Sequence, residues 1–366
     1  MQICKTTRNS ILMPMQAVCG IIEKNTTMPI LQNVFLNFSD GNLTAISSDM
    51  EIQITANGTV ESSSSSAVFT VNAKKIMDII KSLPIFDEVS LAYDEKKLTI
   101  KSGKSKFNLQ TLPSDDYPSI KQDKKICEFK IKQNELKYIL SLTQYAMARN
   151  DIRYYLNGLL FDVKDGLLSV SGTDGNRLAI ANYRINSSND IYAIVPYKII
   201  SELYRKLSDN ENIVDVAISG RQVVFKFNDI EFISKLIDGK YPDVQRVIPA
   251  NANIKLTIDT QELQDAIKRA SILSNEKSRG VNLELNNGIM KIFASNSEAE
   301  ESIAELDIEY NFQQLNIGFN ADYLVDCLSN IHSDKVKISF TDSTSSVLFT
   351  IPDNQNFKYV VMPMRM

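Results

Sequence analysis

The sequence has a single histidine, His332, and only four cysteines, Cys4, Cys19, Cys127 and Cys327, with no paired or CxxC spacing. Scattered thiols of this kind exclude a disulfide framework and the usual zinc spacings and suit a reducing cytoplasm. His332 follows the last core position of a predicted helix, where a histidine ordinarily meets the helix C-terminus. Ser-His-Asp catalysis needs nucleophile, base and orienter together, and nothing in the sequence assembles them. No GxGxxG or GxxxxGK[ST] loop is present to cradle phosphate. The acids at Asp115-Asp116 and at Glu298, Glu300 and Glu301 lie in polar, loop-like context without the glycines of a calcium loop. Neither a cofactor nor a metal is expected, and the chain does not read as an enzyme. No apolar run approaches the about 18 residues needed to cross a bilayer, so no membrane partner is expected. "KTTRNSILMPMQAVCG" imitates an export signal, but Pro14 and Gln16 interrupt its apolar segment, and a helix is expected there instead. The only low-complexity stretch, Ser62–Ser66, reads as an exposed loop between strands.

What is present is an ordinary globular balance, 43% apolar and 23% charged residues over 366 positions, enough for two or three domains. Three segments recur at intervals of 124 residues: "VNAKKIMDIIKSL" from Val71, "VPYKIISELYRKL" from Val195 and "FNADYLVDCLSNI" from Phe319. Ile76, Ile200 and Leu324 correspond, and so do Ile79, Leu203 and Cys327, then Ile80, Tyr204 and Leu328, then Leu83, Leu207 and Ile331. These positions run i, i+3, i+4, i+7, the stripe of an amphipathic helix. Asn72 and Asn320 stand where an N-cap belongs, and Pro196 replaces them in the middle copy. "TLPSDDYPSI" and "KLIDGKYPDV" align at Tyr117-Pro118 and Tyr241-Pro242 with the same interval. Further helices are predicted at 10–24, 133–150 and 260–275, each before a strand. The pattern implies three copies of an α+β unit, two helices packed on antiparallel sheets, with boundaries at 1–125, 126–252 and 253–366.

The net charge of −4 is unevenly spread: the predicted helices with their flanking residues, 8–25, 72–83, 133–150, 196–207, 260–277 and 320–331, sum to +4 and the remainder to −8. Positive helices sharing one side would suit a phosphate-facing surface, although solvated helix faces often carry Lys and Arg. "ARNDIRYYLNG" places Arg149, Arg153, Tyr154 and Tyr155 in one loop, either for contact with phosphate and bases or as the start of the next core strand. The chain ends "YVVMPMRM", too apolar for a ragged tail, so a docked terminus is expected.

"RYYLNGLLF", "TDGNRLAI", "SKLIDGKYPDVQRVIP", "SILSNEKSRGV" and "YVVMPMRM" resemble, in order, the bacterial DNA polymerase III beta subunit family, the sliding clamps. The likeness runs from "MPIL" at Met28 to Met366 and is weakest over the first 25 residues and around Ser62–Ser66. It implies a homodimeric, head-to-tail ring of three similar domains per chain, with helices lining a hole around duplex DNA and sheets outside. It also implies a processivity factor in DNA replication whose partners are the polymerase catalytic subunit, the clamp loader and other proteins carrying a short linear motif. By matching motifs, one part of the motif-binding cleft would be Thr173, Gly175, Asn176, Arg177, Leu178, Pro242, Arg246, Val247, Val360 and Met362. The other would be Tyr155, Asn320, Tyr323, Ser346, Pro363, Met364 and Arg365. Asn176 stands where the family often has histidine. Contacts to DNA would come from Lys74, Lys75, Lys81, Arg149, Arg153, Tyr154, Lys198, Arg205 and Lys206. The dimer contact would set Lys104, Lys106, Phe107 and Leu109 of one chain against Ile272, Leu273, Glu298, Glu300, Glu301 and Glu305 of the other. Two alternatives remain: a monomeric peptide-binding scaffold, which gel filtration separates from a dimer, and a hydrolase using Asp115 and Asp116.

Overall fold

A computed structural model of the chain describes residues 1–23, 26–60, 65–250 and 252–365. Lys24 at the expected helix end, Ser62–Ser64 of the serine run and the terminal Met366 lie outside the described residues. Among the described residues are six α-helices: α1 (Arg8–Val18), α2 (Ala73–Ser82), α3 (Gln133–Thr143), α4 (Tyr197–Lys206), α5 (Thr260–Ala270) and α6 (Ala321–Asn330). The chain divides into two compact units, one of Met1–Asn134, Asn186–Asn189 and Lys198–Leu236, the other of Glu135–Ile185, Asp190–Tyr197 and Ile237–Met366.

The first unit is built on a twelve-stranded sheet. Its order is Gln2–Thr7, Glu88–Tyr93, Lys97–Ser102, Ser105–Leu112, Ala67–Asn72, Asn33–Ser39, Asn42–Ser48, Ile52–Thr59, Ile230–Lys235, Gln222–Phe227, Ile213–Ile218 and Cys127–Lys132. The stretch that imitates an export signal folds as a strand end and α1, which lies on the strands Asn42–Ser48 and Ile52–Thr59. Pro14 sits inside α1, and Gly58 on the strand beneath makes room for it, since a Cβ there would come within 2.6 Å of the proline ring. The second unit holds an eight-stranded sheet, ordered Ile191–Pro196, Gly158–Lys164, Leu167–Thr173, Arg177–Arg184, Asn354–Val361, Val347–Ile351, Lys335–Phe340 and Ile254–Asp259. It also holds a four-stranded sheet, ordered Glu301–Asp307, Ile289–Ser295, Gly280–Asn286 and Leu315–Asn320. Helix α5 packs on α6 and on Glu301–Asp307.

Most of the stripe buries as the spacing requires, with Ile76, Ile80, Ile200, Leu203, Leu324 and Cys327 all inaccessible, whereas Ile79 and Tyr204 are only half-buried and Met77 turns inward beside Ile76. Asn72 Oδ1 accepts the Lys75 N–H at 3.0 Å, and Asn320 Oδ1 accepts the N–H groups of Asp322 at 2.9 Å and Tyr323 at 3.3 Å. Both expected N-caps form, satisfying first-turn donors that have no helical partner. The other helices stop earlier than expected. After α3 and α5 the chain tightens into 3-10 turns at Gln144–Ala146 and Ser271–Leu273. Hydroxyls there donate back to carbonyls, Thr143 to Ile139 at 2.9 Å and Ser271 to Lys268 at 3.0 Å, competing with continued helix.

The apolar tail is docked through a pairing that all three repeats use. Thr70 pairs with Leu112 in the first unit, while Ile194 pairs with Ile237 and Gly318 with Met364 in the second. Residues 70, 194 and 318 are 124 apart, so the C-terminus occupies the place that the Tyr-Pro connections fill in the earlier copies. Val360 and Val361 are buried.

Candidate functional site

The tail strand Asn354–Val361 lies antiparallel to Arg177–Arg184, with Val360 opposite Leu178 and Val361 opposite Arg177. The pairing extends one step further, where the Met362 N–H donates to the Asn176 carbonyl at 2.9 Å. Leu178, Ile180 and Val360 thereby form one apolar cluster, with half-buried Val244, Ile248 and Leu348 packed against it.

Beside this cluster is a tight turn. Asp174 Oδ1 accepts the N–H groups of Asn176 at 2.9 Å and Arg177 at 3.1 Å, and Gly175 takes a φ of +94° that an L side chain adopts only under strain. Space is short as well, because a Cβ at 175 would lie 2.9 Å from Nη1 of Arg153. Tyr241 braces the turn from below: its phenol accepts the Thr173 N–H at 3.0 Å and donates to the Ser171 carbonyl at 3.3 Å. Burial pushes the Tyr241 pKa above the ordinary tyrosine value, so the phenol keeps the proton it donates. Between tail, turn and the 3-10 segment Val244–Val247 opens a cleft of about 180 Å³.

Arg177 forms the polar wall. Its side chain is 10% exposed and ion-paired to Asp174 at 3.0 Å and to Asp326 of α6 at 2.6 Å. It also donates to the Tyr145 carbonyl at 2.6 Å and lies 4.4 Å over the Tyr323 ring. A guanidinium this enclosed is held in one orientation, the preorganisation that a binding wall needs.

Thr173, Gly175, Asn176, Arg177, Leu178, Pro242, Val247, Val360 and Met362 all line the cleft. Arg246 does not: it is ion-paired to Asp243 at 2.8 Å and its side chain is 84% exposed, while Asp243 and Val244 line the cleft instead. Val244 and Val247, three apart on one face of a 3-10 turn, carried a spacing signal that could have found Val244. Tyr155 belongs with this first group rather than the second, together with Leu156 and Arg153. Arg153, expected at DNA, is held by Asp151 through bonds of 3.0 and 2.8 Å and donates to the Asp174 carbonyl at 3.0 Å. Of the second group, Asn320 caps α6, Tyr323 lies under Arg177, and Met364 donates its N–H to the Gly318 carbonyl at 2.8 Å. Ser346 and Pro363 are half-buried and Arg365 is exposed; none of these residues except Tyr155 lines the cleft.

The expected DNA-facing residues divide in two. Lys74, Lys75 and Lys81 of α2 are exposed, as are Tyr154 and Arg149, the latter stacked 4.7 Å over Tyr197. Lys198 is instead clamped between Glu23 at 2.6 Å and Asp49 at 2.5 Å, Arg205 pairs with buried Glu202, and Lys206 donates to the Gln16 carbonyl at 2.5 Å. These three are engaged by partners within the first unit. Lys104 and Lys106 stand exposed at the start of Ser105–Leu112, with Phe107 and Leu109 half-buried. In the second unit Ile272 is 74% exposed, Leu273 half-buried, and Glu298, Glu300, Glu301 and Glu305 exposed. Glu301–Asp307 is the edge of its sheet.

Three family models match consecutive stretches: the DNA polymerase III beta subunit N-terminal domain over residues 1–121, the central domain over 130–243 and the C-terminal domain over 245–365. The chain belongs to the DNA polymerase III beta subunit family. The beta sliding clamp of Pseudomonas aeruginosa is 40% identical over 361 residues, 98% of each chain, and that of Escherichia coli K12 is 37% identical over 360 residues, again 98% of each. A crystal structure of the Pseudomonas aeruginosa DnaN sliding clamp bound to griselimycin superposes with a TM-score of 0.96 at 39% identity, covering all of both chains. A Caulobacter crescentus pol III beta structure gives 0.92 at 31%. The chain is thus a DNA sliding clamp, a non-catalytic homodimeric processivity subunit that holds the polymerase on DNA and binds clamp-binding proteins. Its α+β architecture of three clamp domains explains the period of 124 residues.

Proposed function

We propose that this clamp recruits its partners at the cleft of Leu178, Arg177 and Val360. The observation that carries the reading is the tail strand: a C-terminus paired to Arg177–Arg184 and leaving Met362 41% exposed at the rim builds an apolar slot beside an oriented guanidinium. An apolar peptide segment would fill the slot, and a methionine rim repacks around different ligands. Deleting Met362–Met366 should abolish binding of a polymerase-derived peptide in fluorescence anisotropy while leaving the dimer and its melting largely intact, since little core is removed. Normal binding by the truncated protein would reduce the tail to a strand end.

The dimer contact we assign to the exposed edge at Lys104–Leu109 and to Ile272, Leu273 and the acidic edge strand Glu301–Asp307. Basic and acidic strips around apolar residues complement each other, and both strands carry them on accessible faces. Reversing Lys104 and Lys106 to Glu should raise the dimer dissociation constant, more so at low salt; an unchanged constant in analytical ultracentrifugation would dismiss the assignment. For DNA we retain Lys74, Lys75, Lys81, Arg149 and Tyr154. Replacing the three lysines by Gln should shallow the slope of log affinity against log salt by about one unit per lost phosphate contact, and an unaltered slope would remove them from the DNA surface. The domain boundaries fall at 125 and 252, just after the Tyr-Pro turns, and limited proteolysis at those connections checks them. Four free cysteines, with burial pushing the thiols of Cys4 and Cys19 up to about 12, suit the cytoplasm, where cell fractionation should find the protein.

A further inference from the structure

The cleft floor does not end at Val360. On the same face of the eight-stranded sheet, Lys358 stands two residues along the tail strand from Val360 and opposite Ile180, about 7 Å away by strand geometry. Lys358 and Lys337 share a depression of about 550 Å³ that also takes in Thr257, Thr350 and Gln355. Lys337 is paired in register with Thr257 and with Thr350, and Lys255 and Lys335 extend the row on neighbouring positions of the outer two strands. The acids here are Asp259, in register opposite Lys335 with its Oδ1 capping α5, Asp334 next to Lys335, and Asp353 in the turn beside the depression. None of the four lysines takes part in an ion pair among the described residues.

The same four strands occur in the first unit, in the same order, as Cys127–Lys132, Ile213–Ile218, Gln222–Phe227 and Ile230–Lys235. There the lysines are neutralised across the strands: Lys130 by Asp215 at 3.3 Å, Lys132 by Glu211 at 3.0 Å, Lys235 by Glu51 at 3.0 Å and Lys226 by Glu231. Asp215 pairs in register with Lys130 as Lys337 pairs with Thr257, so one acid–base pair of the first unit becomes an uncompensated lysine in the second. On these four strands the first unit offsets its lysines with acids, whereas Lys255, Lys337 and Lys358 face Ser339, Thr257 with Thr350, and Ile180 across the strands, next to the docking cleft.

We infer that the lysine row Lys358, Lys337, Lys255 and Lys335 receives an acidic chain segment flanking the apolar motif of a docked partner protein. The inference rests on the cleft reading above and adds the charge class of the flank. A flank of about five extended residues, each advancing about 3.3 Å, spans from the slot across two strands to Lys337. Its carboxylates would gain from four ammonium groups whose mutual repulsion they relieve, an attraction that also steers encounter and is weakened by salt.

The test uses the full-length dimer and a fluorescein-labelled, polymerase-derived docking peptide, extended at either end by four glutamates or by four glutamines. At about 50 mM salt the glutamate extension on the row-facing end should bind roughly threefold to tenfold tighter than the glutamine one, as a few exposed ion pairs allow. The advantage should vanish at about 300 mM salt and in a Lys255→Gln, Lys337→Gln, Lys358→Gln variant, while the glutamine peptide binds both proteins equally. Equal binding of the two extensions to the native protein, or an advantage that survives in the variant, overturns the inference and leaves the cleft standing. If neither extended peptide nor the parent binds, the cleft reading itself fails and takes this one with it. A variant that loses affinity for a single-stranded oligonucleotide but not for the acidic flank would make the row a nucleic-acid contact, which also overturns it.

Discussion

The turn at Ser48–Ile52 in the first unit and the turn at Thr173–Arg177 in the second share a backbone plan and differ in use. Asp49 Oδ1 accepts the N–H groups of Glu51 at 2.9 Å and Ile52 at 2.7 Å, as Asp174 does for Asn176 and Arg177. Met50 takes a φ of 74° where Gly175 takes 94°. The Tyr117 phenol accepts the Ser48 N–H at 3.1 Å and donates to the Asn33 carbonyl at 3.2 Å, repeating the brace of Tyr241. Each following strand gains an antiparallel partner, and Lys235 N–H to Glu51 carbonyl in the first unit matches Met362 to Asn176 in the second. The side chains on that plan decide the outcome. Where the second unit has Leu178, the first has buried Gln53, whose Oε1 accepts the Ile120 N–H at 2.8 Å and anchors the connection. Ile120 then packs on Ala217, Val224 and Ile233. Val244, one repeat interval after Ile120, lines the open cleft instead. A repeated scaffold thus carries an open docking slot over Leu178 in one place and, in the other, a seam sealed by Ile120 on its apolar cluster with the Gln53 bond beside it.

Arg177 has no counterpart in the first turn, where Ile52 occupies its position, so its removal should have the largest effect. Arg177→Ala strands the carboxylates of Asp174 and Asp326 and the Tyr145 carbonyl, a loss of about 2 to 4 kcal/mol. Thermal unfolding should show a fall of several degrees, and a melting temperature within one degree of native would mean the wall is ornamental. Gln53→Leu should have the smallest effect: it forfeits one hydrogen bond, about 1 kcal/mol, and Ile120 stays seated on its cluster. Peptide stoichiometry in calorimetry should therefore stay at one per chain, and a second bound peptide would show that the glutamine alone closes the seam.

Much of this was legible in the residues. The interval of 124, the helix stripes and the caps at Asn72 and Asn320 are local patterns, and local patterns survive folding. Helix ends were not legible, because Thr143 and Ser271 terminate helices through hydroxyl bonds that no periodicity announces. The division of the middle repeat between two units was hidden too, since it follows from long-range pairings such as Ile230–Lys235 with Ile52–Thr59. At the cleft, matching motifs found Leu178, Arg177 and Val360 but missed that Arg153 and Tyr155 share one rim. Charge at Lys198, Arg205 and Lys206 was visible in the sequence, but their partners Glu23, Asp49, Glu202 and the Gln16 carbonyl were not.

The central claim, that the apolar floor makes the docking site, is tested most directly by Leu178→Gln titrated with a polymerase-derived peptide alongside the native protein. Leu178 is already buried in the free clamp, so the substitution acts by putting an unpaired amide into the floor against which the apolar peptide packs, about 1 to 3 kcal/mol, and the variant should bind the peptide roughly fivefold to a hundredfold more weakly while remaining a folded dimer. A folded Leu178→Gln clamp that binds the peptide with native affinity would contradict the account.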